Sequence, residues 1–190
     1  MSAVSWWLIR HAPVVGEGRK MINGWNDVAA DVTGLAARPR LPARPKAVVV
    51  THLQRTLQTA RALGYAPTHT ESDLAEQNFG AWQGKTWAEI TGPESHAFWA
   101  DFAHAVPPGG ESFVQQIGRV EAALERLSQS FGSGEVVAVV HGGTIRAALC
   151  HALDLSPLKA QAFVVDNVHL TRLDRTRHGW RVGCVNERLF

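Results

Sequence analysis

The sequence predicts an α/β sandwich with its chemistry at one edge of the sheet, and three observations carry that prediction. A short apolar run, Trp6-Trp7-Leu8-Ile9, ends at Arg10-His11, and the pattern returns at Val136-Val137-Ala138-Val139-Val140, which runs into His141-Gly142-Gly143-Thr144. Runs of this kind alternate with helical periodicity, as in an α/β sandwich. A length of 190 residues suits one domain with a full core. If the two strands share a parallel sheet, both imidazoles emerge at the same edge, where ligands bind in open α/β sheets.

Each element follows from local signals. Residues 4–10 read as a strand, and residues 12–33 as a loop punctuated by Pro13, Gly16, Gly18 and Gly24. Arg38 to Pro45 is a basic segment broken by prolines. It is either a solvated surface connection or an entrance that attracts anions. Lys46-Ala47-Val48-Val49-Val50 is β-branched enough for a buried strand. Thr51 is placed to cap a helix over 53–63 that stops at Gly64. Residues 77–110 are rich in Trp, Gly and Pro, with Pro93 opening a helix that runs through Asp101. Pro107-Pro108-Gly109-Gly110 breaks the chain.

Ser112 and Gln115 then fit a capping box. Phe113, Ile117, Val120, Leu124 and Leu127 form the stripe of a long amphipathic helix that Gly132-Ser133-Gly134 ends. After the second apolar strand, residues 144–152 read as helix, and Ser156-Pro157 opens a shorter one. The tail alternates like strands over 162–174 and 180–185, around a turn at Arg177-His178-Gly179.

Composition excludes several classes. The chain is 45% hydrophobic and 19% charged, as in ordinary globular proteins. A net charge of +2, from 19 Lys+Arg against 17 Asp+Glu, is too close to neutral to argue for nucleic acid. No stretch approaches the ~18 apolar residues of a membrane span, and the first apolar run has neither the length nor the basic flank of a signal peptide. Cys150 and Cys184 lack CxxC spacing and read as reduced thiols, which leads us to expect a cytoplasmic protein. His69, His96, His104, His151, His169 and His178 have no metal-ligand spacing, so no metal or other cofactor is expected.

The chemistry gathers at three strand-to-helix junctions: Arg10-His11, Thr51 to Arg55, and His141 to Arg146. Helix N-termini suit phosphate, and Arg10 and Arg55 add forked, permanently charged donors. Two arginines, two histidines and helix ends together suit a dianion. A histidine in such a place can be an electrophilic partner, a base or a nucleophile; to attack phosphorus it must be neutral. The candidate proton donor is Glu76, whose apolar neighbours Leu74, Ala75 and Phe79 are placed to keep a proton on it.

These residues carry a resemblance. Leu8-Ile9-Arg10-His11-Ala12 resembles the signature of the histidine phosphatase superfamily, also called phosphoglycerate mutase-like. Thr51 to Ala60 resembles its second block and Leu74 to Gly84 its acid block. Pro108-Gly109-Gly110-Glu111-Ser112 resembles a stretch of its short phosphatase branch, and Val140 to Arg146 its final block. Any one block is weak; five in order are specific. The resemblance implies a three-layer α/β/α sandwich with a mostly parallel central sheet, in a single domain over 1–190 with 77–110 as a small lid. It implies that His11 is the phosphorylated nucleophile and that Glu76 protonates the leaving group and then activates water. Arg10, Arg55 and His141 would bind the phosphoryl group, with Asn23 and the backbone of Gly142 as further contacts.

Within the family the blocks look most like the α-ribazole phosphatases of cobalamin synthesis. That implies a phosphomonoesterase acting on a small-molecule phosphomonoester, α-ribazole 5′-phosphate being one candidate, with no nucleic-acid or membrane partner and with a homodimer allowed. A phosphoglycerate mutase is the alternative enzyme, although its relatives carry a longer insertion than the 77–140 span here. A phosphohistidine protein phosphatase is a further option, but its short relatives lack much of 77–112. A non-catalytic phospho-ligand-binding module would not need the retained Arg10, His11, Arg55, Glu76 and His141.

Departures from the family pattern fall just after the nucleophile. Ala12 replaces the usual glycine, which is tolerable if its φ is negative. Val14 and Glu17 stand where a threonine and an asparagine are common; we expect Glu17 to point to solvent. Trp6 and Trp7 should pack on opposite faces of the first strand. Trp82, Trp87 and Trp99 form either the core of the lid or an aromatic wall for a ring-bearing substrate. His52 is placed at the pocket rim, and Glu111 reads as a local anchor.

Overall fold

In the computed structural model, residues 3–36 and 40–189 are described. Arg38 and Pro39 of the basic segment lie outside them. Six strands form one sheet: β1 (Val4–Arg10), β2 (Ala47–Val50), β3 (His69–Thr70), β4 (Gly134–Val140), β5 (His169–Thr176) and β6 (Gly179–Arg188). Their spatial order is β3-β2-β4-β1-β5-β6. The strands from β3 to β1 are mutually parallel, and β5 is antiparallel to both β1 and β6. Only β5 therefore runs against the rest, and the mostly parallel sheet expected from the sequence is present.

The central strands are apolar because both their faces are covered. Every residue of β2 is buried, as is β4 from Val136 onward. On one face the long helix α3 (Phe113–Phe131) and α4 (Gly142–Leu153) pack over Trp6, Leu8, Val136 and Ala138. On the other, α1 (Gln54–Ala62) helps to enclose Ile9, Val50, Val137 and Val139. Trp6 is fully buried on the α3 side, where its indole N–H donates to Ser128 Oγ at 2.9 Å, and Trp7 packs on the opposite face. Helix α3 carries the expected capping box: Ser112 Oγ accepts from Gln115 N–H at 3.2 Å, and Gln115 Oε1 from Ser112 N–H at 2.7 Å.

Three local expectations fail for identifiable reasons. Thr51 does not cap α1; Leu53 holds the N-cap position without a side-chain bond, and the Thr51 hydroxyl faces His141 at 3.0 Å. Helix α4 begins at Gly142 rather than 144, since His141 is its N-cap and two glycines, poor helix formers, are held there by tertiary contacts. Residues 162–168 are not strand: the short helix α5 (Pro157–Ala160) runs into turns, and pairing starts only at His169.

A second, smaller apolar cluster gathers Ile22, Trp82, Ile90 and Phe98, with Phe79, Phe102 and Ala105 against it. It contains α2 (Pro93–Ala100), the helix that Pro93 opens, closed at Asp101. Trp82 is core to this cluster, whereas Trp87 and Trp99 are exposed.

Candidate active site

Sheet register makes the site. Strands β1 and β4 are adjacent and parallel with Arg10 opposite Val140, so His11 and His141 leave the sheet side by side. His11 N–H continues the ladder to the Val140 carbonyl at 2.9 Å. The two rings meet edge to face, with centroids 5.2 Å apart.

His11 lines a cavity of about 390 Å³ with Arg10, Asn23, Arg55 and Glu76 among its walls. His11 Nδ1 lies 2.7 Å from the Ala12 carbonyl, which can only accept. The ring proton therefore sits on Nδ1, and Nε2 carries the free lone pair. Burial first, then the Arg55 charge, pushes the imidazole down to about 3, so it is neutral near pH 7. Ala12 does not have positive φ, as its side chain requires. Val14 is buried in the cavity wall, while Glu17 points to solvent and pairs with Lys20 at 3.1 Å.

His141 is fully buried, and its Nε2 meets Thr51 Oγ1. Burial, then the Arg55 charge, holds it well below the ordinary histidine value. Arg55 is only 1% exposed and donates to the carbonyls of Gly24 (2.6 Å) and Asn26 (2.9 Å). Arg10 donates to the Val165 carbonyl. Three buried nitrogens here lack any protein partner: Arg10 Nε, Arg55 Nε and His141 Nδ1. Buried polar groups are almost always satisfied, and one bound anion could take up such donors.

Glu76 does not stand among apolar groups, as its sequence neighbours suggested. Its Oε1 accepts from Gln77 N–H (3.0 Å), Gly143 N–H (3.1 Å) and Gln116 Nε2 (3.3 Å). Leu74 and Ala75 turn inward instead and present their carbonyls to Thr144 Oγ1. Asn23 lies on the cavity wall, but its amide donates to the carbonyls of Gly18 (2.8 Å) and Met21 (3.3 Å). In this arrangement it fastens the loop that presents Gly24 to Arg55. Gly142 packs close to Arg10: a Cβ there would stand 3.5 Å from Arg10 Nε. His52 is exposed and packs against Trp25, with ring centroids 5.4 Å apart; it does not line the cavity.

Sequence reasoning missed several supports. A Cβ at Gly143 would lie only 2.1 Å from Glu76 Oε1, so any other residue there would displace the Glu76 carboxylate. Arg119 donates to the carbonyls of Asp73, Ala75 and Glu76 and grips both oxygens of Glu111, whose Oε1 also takes Asn78 N–H. Glu111 is thus the local anchor expected, and Arg119 ties the acid loop to α3. Asn167 Nδ2 donates to the His11 carbonyl at 2.7 Å, and Val168 N–H to that of Arg10 at 2.9 Å. Val168 holds φ +58°, costly for a β-branched residue and tolerated only where the surroundings enforce it. Glu111 precedes the Ser112 cap of α3, so no helical spacing ties it to Arg119, and nothing local marks Asn167 or Val168.

Two histidines at adjacent parallel strand ends, the buried Arg55, the half-buried Arg10 and a carboxylate across the cavity make an α/β site suited to a phosphate dianion. The family model of the histidine phosphatase superfamily, branch 1, matches residues 6–188, and the chain belongs to that family. A bifunctional protein of Mycobacterium tuberculosis is 37% identical over 147 residues, 73% of this chain and 39% of its own length. A metal-independent phosphoserine phosphatase of Arabidopsis thaliana is 32% identical over 154 residues, 74% of this chain and 65% of its own. The chain thus matches well under half of the mycobacterial relative. The crystal structure of an α-ribazole phosphatase from Shigella flexneri superposes with a TM-score of 0.81 at 22% identity, covering 97% of this chain and 96% of that one, and shares the fold.

Proposed function

We propose that the protein is a phosphomonoester hydrolase that works through a phosphohistidine on His11, without a metal, on a small phosphorylated metabolite in the cytoplasm. One observation carries the reading. The Ala12 carbonyl holds the His11 proton on Nδ1, which leaves Nε2 with a free lone pair on a neutral ring that lines a cavity with Arg10 and Arg55.

The steps follow from these positions. Nε2 of His11 bonds to phosphorus while the bond from phosphorus to the ester oxygen breaks. The two guanidiniums and His141 Nδ1–H take up the charge on the equatorial oxygens. Glu76, as the carboxylic acid, passes its proton to the departing oxygen. Water then attacks the phosphohistidine and loses its proton to Glu76. The N–P bond breaks, and inorganic phosphate leaves neutral His11 behind. The segment over 77–110 acts as a lid on this site within one domain.

The substrates named for the relatives differ in their leaving groups. Phosphoserine is named for the Arabidopsis protein and α-ribazole phosphate for the Shigella one. We put α-ribazole 5′-phosphate first among the metabolites to assay.

The first test is turnover of p-nitrophenyl phosphate in excess EDTA. We expect activity between pH 4 and 8, and a loss of about 1,000-fold or more in His11→Ala, since a nucleophile is removed outright. Folded protein without activity across that range, or an active His11→Ala, overturns the reading.

A further inference from the structure

Beside the phosphate cavity lies a second one, of about 450 Å³, with a different character. Its walls include Phe98, Trp99, Phe102 and Phe113, and it shares Glu76, Phe79 and Trp87 with the first. Trp87 stacks on Phe98 (5.8 Å between centroids, planes 25° apart) and leans on Trp99 at 5.1 Å. Trp99 is nevertheless 58% exposed and Trp87 41%. Exposed aromatic faces at a cavity mouth mark a binding surface more often than chance does. Among the described lining residues, Glu76 is the sole carboxylate and Arg146 the sole cation.

We infer that this second cavity houses the leaving group, and that the substrate is a phosphomonoester of an alcohol with a broad, planar, apolar body. The inference rests on the phosphomonoesterase reading above and adds the class of alcohol. Glu76 forms part of the wall common to both cavities, and Glu76 is the group that protonates the leaving oxygen. With phosphorus held between Arg10 and Arg55, an ester oxygen within reach of Glu76 directs its carbon skeleton past Phe79 and Trp87 into the aromatic chamber. Planar rings gain there by stacking and by apolar burial. A short charged alcohol such as serine does not: with Glu76 engaged at the ester oxygen, an ammonium in the chamber finds no second carboxylate among the described lining residues.

The test holds leaving-group chemistry constant by using primary alkyl esters. 2-(2-Naphthyl)ethyl phosphate is compared with ethyl phosphate and O-phosphoserine. We expect kcat/KM at least about 100-fold higher for the naphthyl ester, and Trp99→Ala to cut that advantage about tenfold. Trp99 is exposed enough for its removal to leave the fold intact. Similar kcat/KM for all three esters, or an unchanged ratio in Trp99→Ala, overturns the inference while leaving the phosphatase reading standing. If no ester turns over, p-nitrophenyl phosphate included, the enzyme reading fails instead. Calorimetric binding of 2-(2-naphthyl)ethylphosphonate against ethylphosphonate then decides the cavity alone: equal affinities, or equal affinities in wild type and Trp99→Ala, overturn it.

Discussion

Thr51 is placed to set the tautomer of His141. Its Oγ1 accepts from Leu53 N–H at 3.3 Å and lies 3.0 Å from His141 Nε2. Neighbouring Thr56 donates to the Leu53 carbonyl at 2.9 Å. When the Thr51 proton goes to His141 Nε2 at 3.0 Å rather than to Thr56 Oγ1 at 3.2 Å, the ring proton is left on Nδ1, the buried nitrogen without a protein partner. Thr51→Val removes that constraint. We expect kcat to fall at least about tenfold with KM changed less, because a transition-state donor is disoriented. Thr51→Ser should recover most of it. A Thr51→Val enzyme with the wild-type kcat would mean that the hydroxyl does not set the tautomer. The sequence marked Thr51 by its place before a helix, yet the bond to His141 spans 90 positions and no local pattern encodes it.

Among the elements, α3 does more than cover the sheet. Its first turns carry Gln116 and Arg119, which hold the loop bearing Glu76 through Ala75 and Glu76 themselves. The helix was legible because its stripe and capping box are local signals; its second task was not, since the partners lie about 40 residues upstream. Arg119→Met would remove the guanidinium's bonds to three carbonyls of the acid loop and to Glu111, which would keep only the Asn78 N–H. We expect kcat to drop several-fold or more for esters that need a proton on the leaving oxygen, and p-nitrophenyl phosphate, with its good leaving group, to be affected less. Equal losses on both would show that Arg119 serves stability rather than the placement of Glu76. Helix α2 and its surroundings show the same division: Pro93 announced the helix start, but only packing separates Trp82, which is core, from Trp87 and Trp99, which line a cavity.

For the whole molecule, burying two neutral histidines links stability to pH. His11 titrates near 3 in the folded protein against an ordinary 6.5, and His141 also lies well below that value. The unfolded chain therefore binds protons first as pH falls. The stabilisation is complete above pH 6.5 and is lost progressively down to the folded values. Each such histidine contributes up to about 1.4 kcal/mol per pH unit in that window. We expect Tm to fall between pH 6.5 and 4, and His11→Ala to show a shallower fall; identical pH dependence in the two would contradict the buried neutral assignment. The fold was legible because parallel strands buried on both faces read as unbroken apolar runs. That His11, Arg55 and Glu76 share one cavity, with His141 against His11, was legible through family blocks, while the hydrogen bonds that hold them in place join distant segments.

The central claim is that phosphorus is displaced twice, first by His11 and then by water or another acceptor. The stereochemistry of transfer tests it directly. With a phosphomonoester made chiral by oxygen isotopes and an alcohol as acceptor, two in-line displacements give net retention of configuration at phosphorus. Net inversion would mean a single direct displacement, and His11 would then not be the nucleophile.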